Sequence, residues 1–314
     1  MPQDSVEIIN IAPTPEIRDT VNFSVSYTEV VSTEVKQHEQ AWAAFWVSVV
    51  IGAFFIIRPF VFRRSPWPLF GKLSQQVPAP QTIERYQVIL EQYNPYYRRL
   101  SPKLKDRFLT RTFRFMQGKT FHYIEMSADE INERMPVLIS SVAVQIAFGL
   151  RRYEMSYFKN IYVLRSNYHF GLSAIPFEGH VNSLGIYLSW SNFESAFMDY
   201  NDGNNVGLHE MAHALTYVNF TAREGEDDDF RSRFKIFSKT GRRLFAELEA
   251  GRKTMLGGYA STNYNEFWAV CIENFFERSQ QMKTELPELY TELTKLLNQD
   301  PLTDNLLINN LDRA

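Results

Sequence analysis

Cysteine is almost missing from this 314-residue chain. Cys271 is the only one, so no intrachain disulfide can form. That suits a reducing compartment without requiring one. A charge excess is missing too: 33 Lys and Arg stand against 36 Asp and Glu, a formal net charge of −3. Without a concentrated basic surface, nucleic acid is not the expected partner. No internal repeat is visible, which excludes solenoid and array architectures. What is present is ordinary for a folded protein, with 45% hydrophobic and 22% charged residues. That composition excludes wholesale disorder, and the length allows one sizeable domain plus tails.

One stretch lacks charge altogether. Seventeen residues from Ala41, AWAAFWVSVVIGAFFII, precede Arg58. If Arg58 snorkels toward headgroups, the apolar span runs over 41–62, within the roughly 17–25 residues that cross a bilayer core. Trp42, Trp46 and Trp67 stand where interfacial anchors are expected. A signal peptide is a poor match, because the forty preceding residues carry seven Asp and Glu against Arg18 and Lys36. Arg58, Arg63, Arg64 and Lys72 all follow the span. The positive-inside rule therefore places the C-terminal body in the cytoplasm and residues 1–40 outside, as a flexible extramembrane segment. The expectation is a single-pass membrane protein whose lipid contact is 41–62.

Residues 63–80, rich in Pro and Gln, read as a linker. The body, 81–314, shows helical spacing in TIERYQVILEQY and again after Ser101-Pro102, where Ser suits the N-cap and Pro the first turn. ADEINERMPVLISSVAVQIAFGL, 128–150, is expected to be a mostly apolar central helix. KNIYVLRS and LGIYLSW read as strands by their β-branched and aromatic residues. The fold class expected is α+β: a mostly helical domain with a small sheet, after one transmembrane helix.

Residues 206–218, VGLHEMAHALTYV, contain the pattern H-E-x-x-H. Four-residue spacing on a helix puts His209 and His213 on one face, where two imidazoles can share an ion. Glu210, rotated about 100° away, can reach a zinc-activated water as its general base without occupying the metal. Asn201 or Asp202, ahead of Gly203, is expected to cap the helix. A hydrolytic zinc site has three protein ligands and an open position. Glu266, in an apolar stretch with Glu273 two turns on, is a candidate third ligand. Asn263-x-x-Glu266 also resembles a capping box, and spacing alone does not choose between the two roles. The acidic run 224–229 reads as solvated.

The pieces LSPKLKDRFLTRTFRFMQGKTF, ERMPVLISSVAVQIAFGL, FKNIYVLRS, LGIYLSW, NNVGLHEMAHAL and YASTNYNEFWAVCIENFFE, in this order, cover most of Leu100 to Glu277. Together they resemble the Mlc titration factor A family of zinc-dependent peptidases, whose catalytic core is similar to that of anthrax lethal factor. The resemblance implies a zincin-like metallopeptidase fold with His209, His213 and Glu266 on Zn2+ and Glu210 as general base. It also implies Tyr259, seven residues before Glu266, as support for the oxyanion. Glu273 would orient a histidine. His169, or less strongly His180, is a candidate extra ligand that would close the site. Where the family has Leu-Asp after the second histidine, this chain has Leu215-Thr216.

Two functions follow from these residues. One is a membrane-anchored zinc peptidase acting on peptide or protein substrates, with the resemblance leaning to an aminopeptidase-like activity. The alternative, which the resemblance also implies, is a binding module that holds a transcriptional repressor or another protein regulator at the membrane. Glu210 discriminates, since a pure binder has no use for a general base beside two ligands.

Overall fold

The computed structural model describes residues 78–171, 176–222 and 227–303, all within the second of the two units into which the chain divides, Lys72–Ala314. The expected segments 1–40 and 41–62, and nearly all of the linker, lie outside the described residues. Among those described, no helix is long and apolar enough to cross a membrane.

Helices dominate. α1 is Pro80–Tyr93, α2 Pro95–Arg99 and α3 Pro102–Gln117. Each starts with proline, whose missing N–H costs nothing in a first turn. α4, Arg134–Ile146, is buried at every position from Val137 to Ile146. A helix apolar on all sides belongs in the interior, and α4 packs against α1 and α3. It starts six residues later than the sequence pattern suggests. The Glu130 carboxylate accepts from the Ser127 N–H and hydroxyl, and Asn132 Oδ1 accepts from the Arg134 N–H. Those side chains satisfy the backbone in turns and delay the helix.

The sheet has four strands: β1 Thr120–Ile124, β2 Asn160–Leu164, β3 Gly179–Asn182 and β4 Gly185–Ser189. Their order is β1-β2-β4-β3, parallel except for the antiparallel β3–β4 hairpin. Asn182 shapes that hairpin by accepting the Leu184 N–H at 2.8 Å. Ile161, Val163, Ile186 and Leu188 face the core, while Tyr162, Tyr187 and His180 stack as a ladder on the other face. β3 ends the sheet.

α5, Trp190–Met198, leads into α6, Val206–Thr216, which carries the H-E-x-x-H motif and packs against β3, β4 and α4. A π-helical turn follows at Tyr217–Thr221. α7 is Asp228–Glu249, and a short 3-10 turn covers Tyr259–Ser261. Then come α8 Tyr264–Glu277, α9 Ser279–Glu285 and α10 Pro287–Leu297. Part of the acidic run has a structural task. Asp227 caps α7 by accepting the Phe230 N–H at 3.0 Å, and Asp228 and Asp229 sit in its first turn, where the helix dipole favours them.

Candidate metal centre

α6 and α8 lie against each other and are fastened where the Trp268 indole N–H donates to the Ala212 carbonyl at 2.9 Å. This contact sets the two halves of the site in register. From α6, His209 and His213 project toward α8. From α8, Glu266 meets them. His209 Nε2 lies 2.9 Å from Glu266 Oε2 and 3.1 Å from His213 Nε2, and His213 Nε2 lies 3.6 Å from Glu266 Oε2.

Two ring nitrogens and a carboxylate oxygen thus point at one place. Ligand atoms of a tetrahedral zinc, with bonds of about 2.0–2.1 Å, stand about 3.3 Å apart. The three separations bracket that value, so the donor set fits the ion in spacing and in chemistry. The side chains of His209, His213 and Glu266 keep 14, 19 and 19% of their surface exposed, which leaves the cluster open on one side, as a catalytic site requires.

Glu266 resolves the ambiguity of its position by serving in only half of a capping box. Asn263 Oδ1 accepts the N–H groups of Asn265 and Glu266 at 2.9 and 3.1 Å, but the Glu266 carboxylate turns to the histidines instead of back to the cap. Burial alone would raise its pKa, yet hydrogen bonding to His209 and His213 holds it well below the usual carboxylate range.

The rest of α8 organises the motif helix. His209 Nδ1–H donates to Glu273 Oε1 at 2.6 Å, and Glu273 Oε2 accepts the Asn205 N–H at 2.8 Å. Asn205, not Asn201 or Asp202, caps α6: its Oδ1 accepts the Leu208 N–H at 2.9 Å. Asp202 instead closes a turn on the Asn204 N–H. One turn beyond Glu273, Glu277 accepts from the Asn205 side-chain amide and the Gly203 N–H.

Burial lowers the His209 pKa, but its bonds to Glu266 and Glu273 outweigh that and lift it to about 10. A ligating imidazole must be neutral, so metal uptake displaces a proton. The apparent affinity for zinc is therefore expected to rise about tenfold per pH unit between pH 6 and 8, read by competition with a chromophoric chelator. A flat profile would refute a protonated His209 in the metal-free protein. In the same assay, Glu273→Gln is expected to weaken zinc binding about tenfold, because the carboxylate fixes the imidazole ring and strengthens its basicity.

Glu210 is buried, with Oε2 bonded to nothing among the described residues. Burial, reinforced by Glu266 and Glu273 and opposed by His209, pushes its pKa up to about 8. Gly179 of β3 lies against it so closely that a Cβ there would fall 2.5 Å from Glu210 Cγ. Tyr259 is 59% exposed, its ring 6.0 Å from that of His209. Partial burial and the Glu266 carboxylate push its hydroxyl up to about 12.

The profile of the glucose-regulated metallo-peptidase M90 family matches residues 72–297. The chain belongs to that family. It is the family to which the Mlc titration factor A resemblance pointed. An uncharacterized protein of Synechocystis sp. is 26% identical over 235 residues, 69% of this chain and 84% of the relative.

In this M90 metallopeptidase, His209, His213 and Glu266 form the group of His, Cys, Asp and Glu side chains able to hold a metal among the described residues. His169 and His180 stand outside it. His169 is exposed. The ring nitrogens of His180 are occupied by the Tyr168 hydroxyl at 2.8 Å and the Asn182 amide at 3.1 Å. Thr216, at the family's acidic position, bonds back to the carbonyls of Ala212 and His213. Sequence reasoning missed Asn205, Glu277 and Gly179. An Asx residue directly ahead of the helix was a readable signal for the first; the other two are set by tertiary approach.

Proposed function

We propose that this metallopeptidase is a zinc-dependent peptidase, anchored through 41–62 with its body on the cytoplasmic side, that cleaves extended peptides laid along β3. One observation carries the reading. Three ligand-type side chains converge on an open point beside a buried carboxylate, Glu210, that has an oxygen to spare.

His209, His213 and Glu266 would hold zinc. When bound, zinc supplies a Lewis acid that acidifies water and polarises a carbonyl. Glu210 takes the proton of the attacking water as its oxygen bonds to the carbonyl carbon, then delivers it to the departing amine as the C–N bond breaks. Tyr259, kept protonated by its raised pKa, donates a hydrogen bond to the developing oxyanion. The Ser189 N–H bonds to the Glu178 carbonyl. By the alternation of an antiparallel ladder, Gly179 and Val181 then turn their backbone groups outward, along an edge that pairs with an added strand.

The leaning toward short substrates and an aminopeptidase-like cut comes from the family resemblance. A repressor-binding role without catalysis gives no task to Glu210. The test is metal content and hydrolysis on one sample. About one zinc per chain, with peptide cleavage that a chelator stops and added zinc restores, supports the proposal. A folded protein that takes up no zinc would sink it.

A further inference from the structure

The free edge of β3 begins where a backbone pairing stops. Phe177 exchanges both of its backbone bonds with Tyr168, at 2.7 and 3.1 Å, in an antiparallel bridge. Glu178 turns the other way, to Ser189 of β4. Gly179 and Val181 then continue the edge to which Phe177 belongs. Tyr168 thus ends the covered part of that edge, and an extended peptide laid on β3 lies beside it. Its side chain reaches along the strand, because the hydroxyl meets His180 Nδ1 at 2.8 Å. Burial and the charge of Glu210, the carboxylate against Gly179, both keep that hydroxyl protonated.

Neighbouring groups decide where the Tyr168 proton points. Asn182 Oδ1 accepts the Leu184 N–H at 2.8 Å, so the amide end 3.1 Å from His180 Nε2 is Nδ2. An amide N–H only donates, so Nε2 is the bare nitrogen and the ring proton sits on Nδ1. Burial favours this neutral ring. Nδ1–H donates to the Tyr168 oxygen, which leaves the hydroxyl proton aimed elsewhere. No acceptor for it stands among the described residues. His180 is itself held by its stack on Tyr187, at 4.2 Å and 10° from parallel. Phe170 borders the same corner, its ring 4.2 Å from that of His180 and 43% exposed, so the corner is open to solvent.

A peptide antiparallel to β3 puts the residue opposite His180 on the face that carries the His180 ring, with Cβ atoms about 5 Å apart. That residue is the chain neighbour of the one that faces Gly179 and Glu210. A donor whose proton is held outward calls for an acceptor, and the Glu210 charge disfavours an anionic one. Resting on the peptidase reading, we propose that Tyr168, Phe170 and His180 form a subsite for an uncharged amide side chain of the substrate, glutamine or asparagine, beside the residue that faces the general base.

The test uses the full-length chain in lipid nanodiscs, supplied with zinc and carrying Glu210→Gln so that it binds without turnover. Alanine-based octapeptides with one glutamine, or with methionine of similar shape in its place, are compared by calorimetry. The glutamine peptide is expected to bind about fivefold more tightly, the worth of one hydrogen bond. Adding Tyr168→Phe, which removes the hydroxyl alone, is expected to erase the difference and leave the methionine peptide's affinity unchanged. A purely structural role would weaken both peptides alike. Equal affinities in the first protein, a preference that survives Tyr168→Phe, or an equal loss for both peptides would overturn the subsite. Hydrolysis by the chain with Glu210 intact separates the two ideas. There a glutamine peptide should also be cut faster than its glutamate counterpart, and the reverse order would overturn the choice of an uncharged side chain. No cleavage with the binding preference retained sinks the peptidase reading alone, and cleavage without preference sinks the subsite alone.

Discussion

Glu210→Gln is expected to lower kcat/KM for peptide hydrolysis by roughly 10²–10⁴-fold, the range for losing a positioned general base. Zinc content should stay at about one per chain. Glutamine keeps the shape and one acceptor oxygen but cannot take a proton, and the three ligand atoms are on other residues. The carboxylate has little else to hold it, since Oε2 has no partner among the described residues and burial raises its pKa to about 8. A buried acid left this way costs stability, so the substitution should also leave the fold as stable as before, or more so. Stopped hydrolysis together with lost zinc would point instead to a ligand role for Glu210. Retained hydrolysis would exclude it as the base.

Helix-period signals carried most of what could be read in advance. α1, α3, α6 and α8 lie where apolar spacing and proline placed them, because each buries a stripe against neighbours and the stripe is written locally. β2 and β4 were legible for the same reason, with Ile161, Val163, Ile186 and Leu188 alternating inward. β1 and β3 were not. Thr120–Ile124 is short and nowhere fully buried, and Gly179–Asn182 contains glycine and asparagine, poor strand formers. Both are strands because β2 and β4 supply ladders for them, and the partners lie 40 residues away for β1 and 3 to 9 for β3.

The metal centre divides along the same line. His209 and His213 are legible because a helix makes their geometry from sequence spacing alone. Glu266, Glu273 and Glu277 could be placed on one apolar helix, but what each carboxylate touches depends on how α8 docks on α6. Docking gives Glu266 to both histidines, Glu273 to the ring of His209 and Glu277 to the cap residue Asn205. Three acids on one buried face would be costly without such partners, and each has one. The capping-box pattern at Asn263 was real for the asparagine and empty for the glutamate. Local rules described the helix start correctly and said nothing of the competing partner across the interface.

Gly179→Ala is expected to cost about 100-fold in kcat while leaving zinc binding intact. Glycine is not needed there for backbone freedom: Gly171, Gly203, Gly251 and Gly257 have positive φ, and Gly179 is not among them. It is needed for room. An added Cβ would lie 2.5 Å from Glu210 Cγ, 2.9 Å from Cδ and 2.8 Å from Oε1, nearer than atoms of these kinds approach. One partner must move. β3 is held by its ladder to β4, so the strain falls on Glu210, whose side chain is buried and cannot swing into solvent. Displacing a catalytic group by about 1 Å is enough to cost on the order of 10²-fold. The three side chains able to hold the metal are other residues, so the loss should appear in kcat with zinc stoichiometry unchanged. The double variant Gly179→Ala with Glu210→Gln should then be little worse than Glu210→Gln alone, because both act on the same proton transfer. Additive losses would mean that β3 contributes through its backbone edge and not through the base. Near-normal turnover in Gly179→Ala would show that Glu210 is free to relocate, and would remove β3 from the positioning of the base.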